Sequence, residues 1–242
     1  MPDMDQEILL VDKPKGITSF DVIRRLRREL NIKKMGHAGT LDPLASGLMI
    51  IGINKGTKKL NEFIKLDKVY ETEILLGVKT DTGDLEGKIL ETRQVEDIDE
   101  KQIQEVLEGM EGALVLPVPI YSAIKRGGEA LYKKARRGEK IDPPKKEMQV
   151  YEIKLLSLRA KPSNLIVAVV TRSLGFARND GTNFARNDMY ILKLEIKVSS
   201  GTYIRSLAEE IGGRLGYPAT VKELRRTQVG DFKIEDARKL SA

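Results

Sequence analysis

GHAGTLDPLASGL, Gly36 to Leu48, is the stretch on which the reading of this chain turns. Its three glycines, Gly36, Gly39 and Gly47, let the backbone turn sharply and approach another molecule closely. Asp42 before Pro43 reads as a helix N-cap with proline at the first helical position, where the helix dipole helps to keep a carboxylate ionised. Taken by residue type alone, an Asp-Pro pair opens a turn or a helix more often than it does chemistry. His37 is the chain's only histidine, and a lone loop histidine is more often a hydrogen-bonded structural group than an acid or base. The next glycine-rich run, GINKGTKK at 52–59, lacks the GxxxxGK[ST] spacing of a phosphate loop, so ATP or GTP binding is rejected.

Outward from this loop, strands and helices intersperse without a regular βαβ period. Ile8 to Val11 reads as a strand, and Ser19 as the N-cap of a helix over Phe20–Leu30 that buries Val22, Ile23 and Leu26. Strands are expected at 47–53, 69–76, 88–92, 121–125, 147–156, 190–198 and 202–204. Helices are expected at 57–64, 99–110, 128–137 and 206–215. The expected class is α+β, a mixed and largely antiparallel sheet with flanking helices. One domain, 1–242, is expected. FARND repeats at 176–180 and 184–188, which marks a surface insertion within 160–188. Such an insertion costs little, because loop-closure entropy grows slowly with length. Arg172, Arg178 and Arg186 would serve there if it were an RNA-binding arm.

The bulk composition narrows the function classes. With 242 residues, 40% apolar and 32% charged, the chain reads as a soluble globular protein. No apolar run reaches membrane length and no signal peptide opens the chain, so a cytoplasmic location is expected. Zero cysteines and one histidine exclude a disulfide scaffold and leave no metal site; no cofactor motif is present. The net charge of +6 suits a polyanionic partner, and the charge is clustered. Arg24, Arg25, Arg27 and Arg28 precede Lys33 and Lys34; Lys133, Lys134, Arg136 and Arg137 form a second knot, Lys145 and Lys146 a third. Each alone reads as a solvated face, but several beside glycine-rich segments suggest a phosphate-tracking surface.

GHAGTLDPLASGL resembles the signature loop of the TruB family of tRNA pseudouridine synthases, which act on the T-loop uridine at position 55. The likeness extends to LVDKPKGITSFDVI, DKVYE, KTDTGDLEG, VPIYSAIKRGGEALYKKARRG, SSGTYIRSLAEEIG and VKELRRTQVG, in the family's order. The resemblance implies a pseudouridine synthase fold with a central RNA-binding cleft and the tRNA T arm as partner. It maps the catalytic aspartate onto Asp42, the tyrosine beneath the base onto Tyr70, the conserved arginine onto Arg205, and an RNA-contacting histidine onto His37. Lys13, Tyr203, Arg225 and Arg226 are expected RNA or pocket contacts, with Tyr121, Lys125 and Tyr132 lining the RNA face.

The implied reaction breaks the N1–C1′ bond of a flipped-out uridine, turns the base and rejoins it through C5. Asp42 attacks C1′, takes the 2′ proton or adds at C6; each route needs an ionised, positioned carboxylate. Arg205 is suited to hold it through a charge-assisted, bidentate hydrogen bond, and Tyr70 to stack on the base and remove the C5 proton. Two departures stand out: Ser200 replaces a lysine common in the family, and a C-terminal PUA domain is not expected. No obligatory protein partner is expected, and a monomer is. The rival readings are a tRNA-folding module without catalysis and a guide-RNA-dependent synthase.

Overall fold

The structure of the protein, a computed structural model, describes residues 7–96, 98–162 and 188–240. The FARND repeats and the insertion expected around them lie outside the described residues, apart from the ends of the strands that flank them.

Chain order gives β1 (Ile8–Lys13), α1 (Ser19–Leu30), β2 (Met35–His37), β3 (Ser46–Ile53) and α2 (Leu60–Ile64). Next come β4 (Lys68–Leu76), β5 (Val78–Thr80), β6 (Ile89–Thr92), α3 (Glu100–Glu108) and β7 (Gly112–Pro117). After β8 (Lys125–Arg126), β9 (Glu129–Ala130) and α4 (Leu131–Arg136) follow the long strands β10 (Lys145–Pro162) and β11 (Asp188–Val198). The chain closes with α5 (Ile204–Leu215), β12 (Ala219–Val229), β13 (Phe232–Lys233) and β14 (Arg238–Lys239). This is the expected α+β class, a mixed and mainly antiparallel sheet.

The chain divides into two compact units, one of Met1–Glu71, Glu195–Gly201 and Glu223–Ala242, the other of Thr72–Leu194 and Thr202–Lys222. Each boundary falls inside or beside a strand or helix rather than in a linker, which is why composition shows no break there.

In the first unit the strand order is β14–β1–β3–β12. β1 runs antiparallel to β3, with Leu10 opposite Ile50, and parallel to β14. β3 is parallel to β12, Arg225 facing Ser46 and Arg226 facing Gly47. Every residue of β3 after Ser46 is buried, so its apolar run shows no alternation. Ala38, Leu48, Ile50, Leu60 and Val229 form the core here, with Phe63 and Phe232 meeting edge to face at 5.5 Å.

In the second unit β10 pairs antiparallel with β7 and β5 with β6. Leu75, Val78 and Ile191 pack together there. α5 buries Ile204, Leu207, Ala208 and Ile211 and stops at Gly216, which adopts the left-handed conformation usual after a helix.

Several sequence expectations need correction. Thr18, not Ser19, caps α1: its side chain accepts from the Asp21 N–H while Asp21 accepts from the Thr18 N–H, a reciprocal capping box. No helix follows Asp42. Pro43 instead sits in a turn closed by the Ala45 N–H on the Asp42 carbonyl at 3.1 Å. The strand expected at 121–125 shrinks to the two-residue β8, and Thr202–Ile204 leads directly into α5. β7 and β12 were not anticipated, nor were the short strands β2, β5, β9, β13 and β14. β12 carries Lys222, Glu223, Arg225 and Arg226 in an 11-residue strand, and charge of that density masks its period.

Candidate active site

The Asp42 loop is gripped along its whole length by groups from both ends of the sequence. Ser19, buried at the start of α1, holds Leu41 twice: its Oγ accepts from the Leu41 N–H at 2.8 Å and donates to the Leu41 carbonyl at 3.0 Å. The Pro43 carbonyl accepts from the Gly16 N–H at 2.8 Å and from the Lys13 ammonium at 3.4 Å. Lys13 is fully buried and also donates to the Pro14 and Ile17 carbonyls. Two loop residues, Leu41 and Pro43, thus flank Asp42 and are each fixed by the segment that opens the chain.

Arg226 closes the loop from the other side. It is 1% exposed, and its guanidinium donates to the Leu48 carbonyl at 2.8 Å and the Gly39 carbonyl at 3.2 Å. Those carbonyls stand at the two ends of the loop, so one planar cation fixes its span. Gly47 has a φ of +111°, and a Cβ there would stand 2.2 Å from the Arg226 carbonyl oxygen. Glycine is therefore required for β3 to lie against β12 at this point. Next to it, Arg225 makes a bidentate pair with Asp12, at 2.8 and 3.1 Å, and reaches Ser46 Oγ at 3.3 Å.

The same buried arginine adds to the effect of burial on two neighbouring groups. His37 sits on β2 opposite Ile51. Burial first, and then the Arg226 charge, push its pKa below the usual 6.5, with the Gly39 backbone partly opposing. Its Nδ1 is buried and makes no hydrogen bond within 3.5 Å among the described residues. Lys68 is lowered to about 8, again by burial and then by Arg226, with Asp67 opposing. Its ammonium nonetheless donates to the Ile64 carbonyl at 2.6 Å and to that of Leu66. A neutral imidazole beside a partly exposed carboxylate loop can accept or donate a hydrogen bond without adding charge.

Two family models together match residues 27–242. The TruB family pseudouridylate synthase N-terminal domain matches residues 27–204, and the tRNA pseudouridylate synthase B C-terminal domain matches 205–242. The chain belongs to the TruB family. It is 38% identical over 230 residues to the tRNA pseudouridine synthase B of Endomicrobium trichonymphae, covering 95% of this chain and 87% of the relative. The corresponding enzyme of Thermobifida fusca (strain YX) is also 38% identical, over 97% of this chain and 73% of the relative. Among solved structures, a chain of a Cbf5–Nop10–Gar1 complex is 27% identical with a TM-score of 0.66 over 96% of this chain. An H/ACA ribonucleoprotein bound to a substrate RNA gives 25% and 0.63 over 96% of this chain. The chain spans about half the length of these solved chains, 52% and 50% respectively.

In this TruB-family chain the anticipated site residues fall into three groups. Asp42 is half-buried on its loop, and Tyr70, on β4, is 8% exposed. Arg205, in the first turn of α5, is 6% exposed and donates to the Thr82 carbonyl at 2.7 Å and the Tyr121 carbonyl at 3.0 Å. Asp84 lies 3.8 Å from it and is itself held by the Thr82 hydroxyl at 2.6 Å. KTDTGDLEG is thereby explained as the seat of Arg205. Tyr203 is the N-cap residue of α5, and Lys125 is exposed on the β8–β9 hairpin, where a phosphate can reach it.

Lys13 and Arg226 form the third group. They are buried and donate to backbone carbonyls, which makes them holders of the loop. Ser19, Asp12 and Gly47 were missed as parts of this assembly. The signal for them was the co-occurrence of three distant blocks, DKPKGITS, the Asp42 loop and ELRRTQV, whose meeting no spacing reveals. Among the described residues no three of His, Asp and Glu converge as a metal-binding group, and no helix is long and apolar enough to cross a membrane.

Proposed function

We propose that this chain isomerises uridine to pseudouridine in the T loop of tRNA, at position 55, with Asp42 as the essential carboxylate. The observation that carries the reading is the loop itself. Leu41, Pro43, Gly39 and Leu48 are each tied down by buried donors around Asp42, which is only partly buried. A group held this firmly meets its target with little reorganisation. The naming of the relatives in Endomicrobium and Thermobifida as tRNA pseudouridine synthase B gives the substrate class.

The target base leaves its stack before reaction. Asp42 then acts on the nucleoside so that the N1–C1′ bond breaks. The freed uracil turns, and C5 bonds to C1′. The C5 proton departs and N1 gains one, so the overall change is an isomerisation without net redox change. Tyr70 packs against the base and takes part in removing the C5 proton. Arg205 supplies a fixed positive charge for the reacting groups. His37, Tyr203, Lys125 and Arg225 contact the RNA. The enzyme works in the cytoplasm as a monomer, without an obligatory protein partner.

Incubation with an unmodified tRNA transcript, followed by base-specific mapping of pseudouridine, tests this. The expected result is modification of the T-loop uridine alone. A protein that binds the T arm yet forms no pseudouridine would point instead to a tRNA-folding module, and modification that needs an added guide RNA would point to a guide-RNA-dependent synthase.

A further inference from the structure

The outward face of α1 has no part in holding the Asp42 loop. Residues 20–34 carry six basic and two acidic side chains, a net +4 within a chain whose total is +6. Both carboxylates are already engaged. Asp21 closes the capping box and pairs with Arg24, while Glu29 takes the Arg238 guanidinium at 2.7 Å. Arg25, Arg28, Lys33 and Lys34 have no carboxylate within 4.0 Å among the described residues. The charge on this face is therefore uncompensated.

An aromatic ring stands at its N-terminal end. Phe20 is 56% exposed, although Val22, Ile23 and Leu26 of the same helix are buried. The Arg24 and Arg27 guanidiniums lie 5.7 and 6.0 Å from its ring centre. Arg27 is tied further by a hydrogen bond to the Met35 carbonyl at 3.2 Å, so it is not a loose surface chain. Beside the helix is a depression of about 680 Å³ lined by Ile17, Asp21 and the four arginines. From Phe20 to Arg28 the helix rises ~12 Å, at about 1.5 Å per residue.

A solvated charged face needs neither an exposed phenyl ring nor guanidiniums gathered around it. Arginine forks match phosphate oxygens, and an aromatic ring offers a stacking platform for a base or ribose. An acidic protein surface would answer the charge but not the ring. We propose that the outward face of α1, built from Phe20, Arg25 and Arg28 with Lys33 and Lys34 beyond, is a second tRNA-binding surface that grips the phosphate backbone outside the target loop. This rests on tRNA being the substrate. The bound strand runs along the arginine-lined depression, with one nucleotide packed on Phe20.

The test titrates labelled, unmodified tRNA transcript with the full chain over a series of salt concentrations. Wild-type protein is first shown to form pseudouridine, which separates failure of this surface from failure of the proposed function. Arg25→Ala/Arg28→Ala is expected to weaken binding about tenfold at moderate salt and to flatten the log–log salt slope by roughly 1.4, for two lost phosphate contacts. Lys101→Ala/Lys154→Ala removes the same charge elsewhere and keeps the wild-type slope. Phe20→Ala is expected to weaken binding about fivefold or more, with Phe20→Tyr restoring it and Phe20→Leu not. An unchanged slope and affinity in the double arginine variant, in a protein that modifies tRNA normally, would overturn the proposal. Equal rescue by leucine and tyrosine would remove the stacked nucleotide from it.

Discussion

Arg226 donates to the Leu48 carbonyl at 2.8 Å from a position that is 1% exposed, and the same guanidinium reaches Gly39 nine residues earlier in the chain. This single cation spans the base of the loop on which Asp42 sits. It joins the last block of the sequence to the loop that the account makes catalytic.

Removing the guanidinium should therefore cost both stability and rate. Arg226→Met leaves the buried Leu48 carbonyl and the partly buried Gly39 carbonyl without a donor, a loss of roughly 2–6 kcal/mol at about 1–3 kcal/mol for each. Arg226→Lys can satisfy only one of them and should fall between. Urea unfolding gives the stability, and single-turnover kinetics on tRNA the rate. Equal stability in all three proteins would mean that the loop does not depend on this clamp.

Gly47 and Gly16 separate strain from space. Both have positive φ, but a Cβ on Gly47 would stand 2.2 Å from the Arg226 carbonyl oxygen, whereas Gly16 has nothing within 4 Å. Gly16→Ala should cost only the backbone strain, about 1–2 kcal/mol. Gly47→Ala should cost more than about 3 kcal/mol, because the β3–β12 pairing must also part. Thermal unfolding of the pair checks this, and similar losses at both positions would refute the close approach.

The single histidine makes the electrostatics measurable without assignment. His37 should titrate below 6.5, since burial and Arg226 both disfavour its charged form. The unfolded chain then binds more protons than the folded one between those two pKa values. Stability should rise with pH across that window, and the contribution is lost as pH falls through it. Proton NMR of the imidazole against pH reports the folded value directly. A folded pKa at or above 6.5 would contradict the buried setting beside Arg226.

How much of this was legible in the sequence depends on whether a feature is local. The α1 face of Val22, Ile23 and Leu26 and the buried run of β3 follow from periodicity and apolar character. The ordered blocks that resemble the TruB family pointed to Asp42, Tyr70 and Arg205 before any geometry was known. What stayed hidden is long-range. Lys13 and Arg226 look like RNA-facing cations by residue type, and only the fold shows that they end on the carbonyls of Pro43, Gly39 and Leu48. Ser19 was read as a helix cap because serine before an apolar run usually is one. Its hydroxyl instead serves Leu41, 22 residues away, while Thr18 takes the capping role. β12 escaped because its charged residues mask the alternation that marks a strand.

Ser19→Ala isolates the hold on Leu41. The variant leaves the Leu41 N–H and C=O without their partner and should lose about 1–3 kcal/mol of stability. Turnover should fall with little change in tRNA affinity, because the loop's position and not the RNA surface is affected. Separate measurement of Kd and single-turnover rate checks this; a weaker Kd at an unchanged rate would contradict the assignment.

The most direct test of the central claim follows the hydrogen that the isomerisation must release. Transcript tRNA labelled with tritium at C5 of uridine is incubated with wild-type protein and with Asp42→Asn, after both are shown to fold and to bind tRNA. Wild type should release one label per tRNA, originating from the T-loop uridine, and Asp42→Asn none. Release by Asp42→Asn at the wild-type rate, or a wild-type protein that binds tRNA and releases no label, would contradict it.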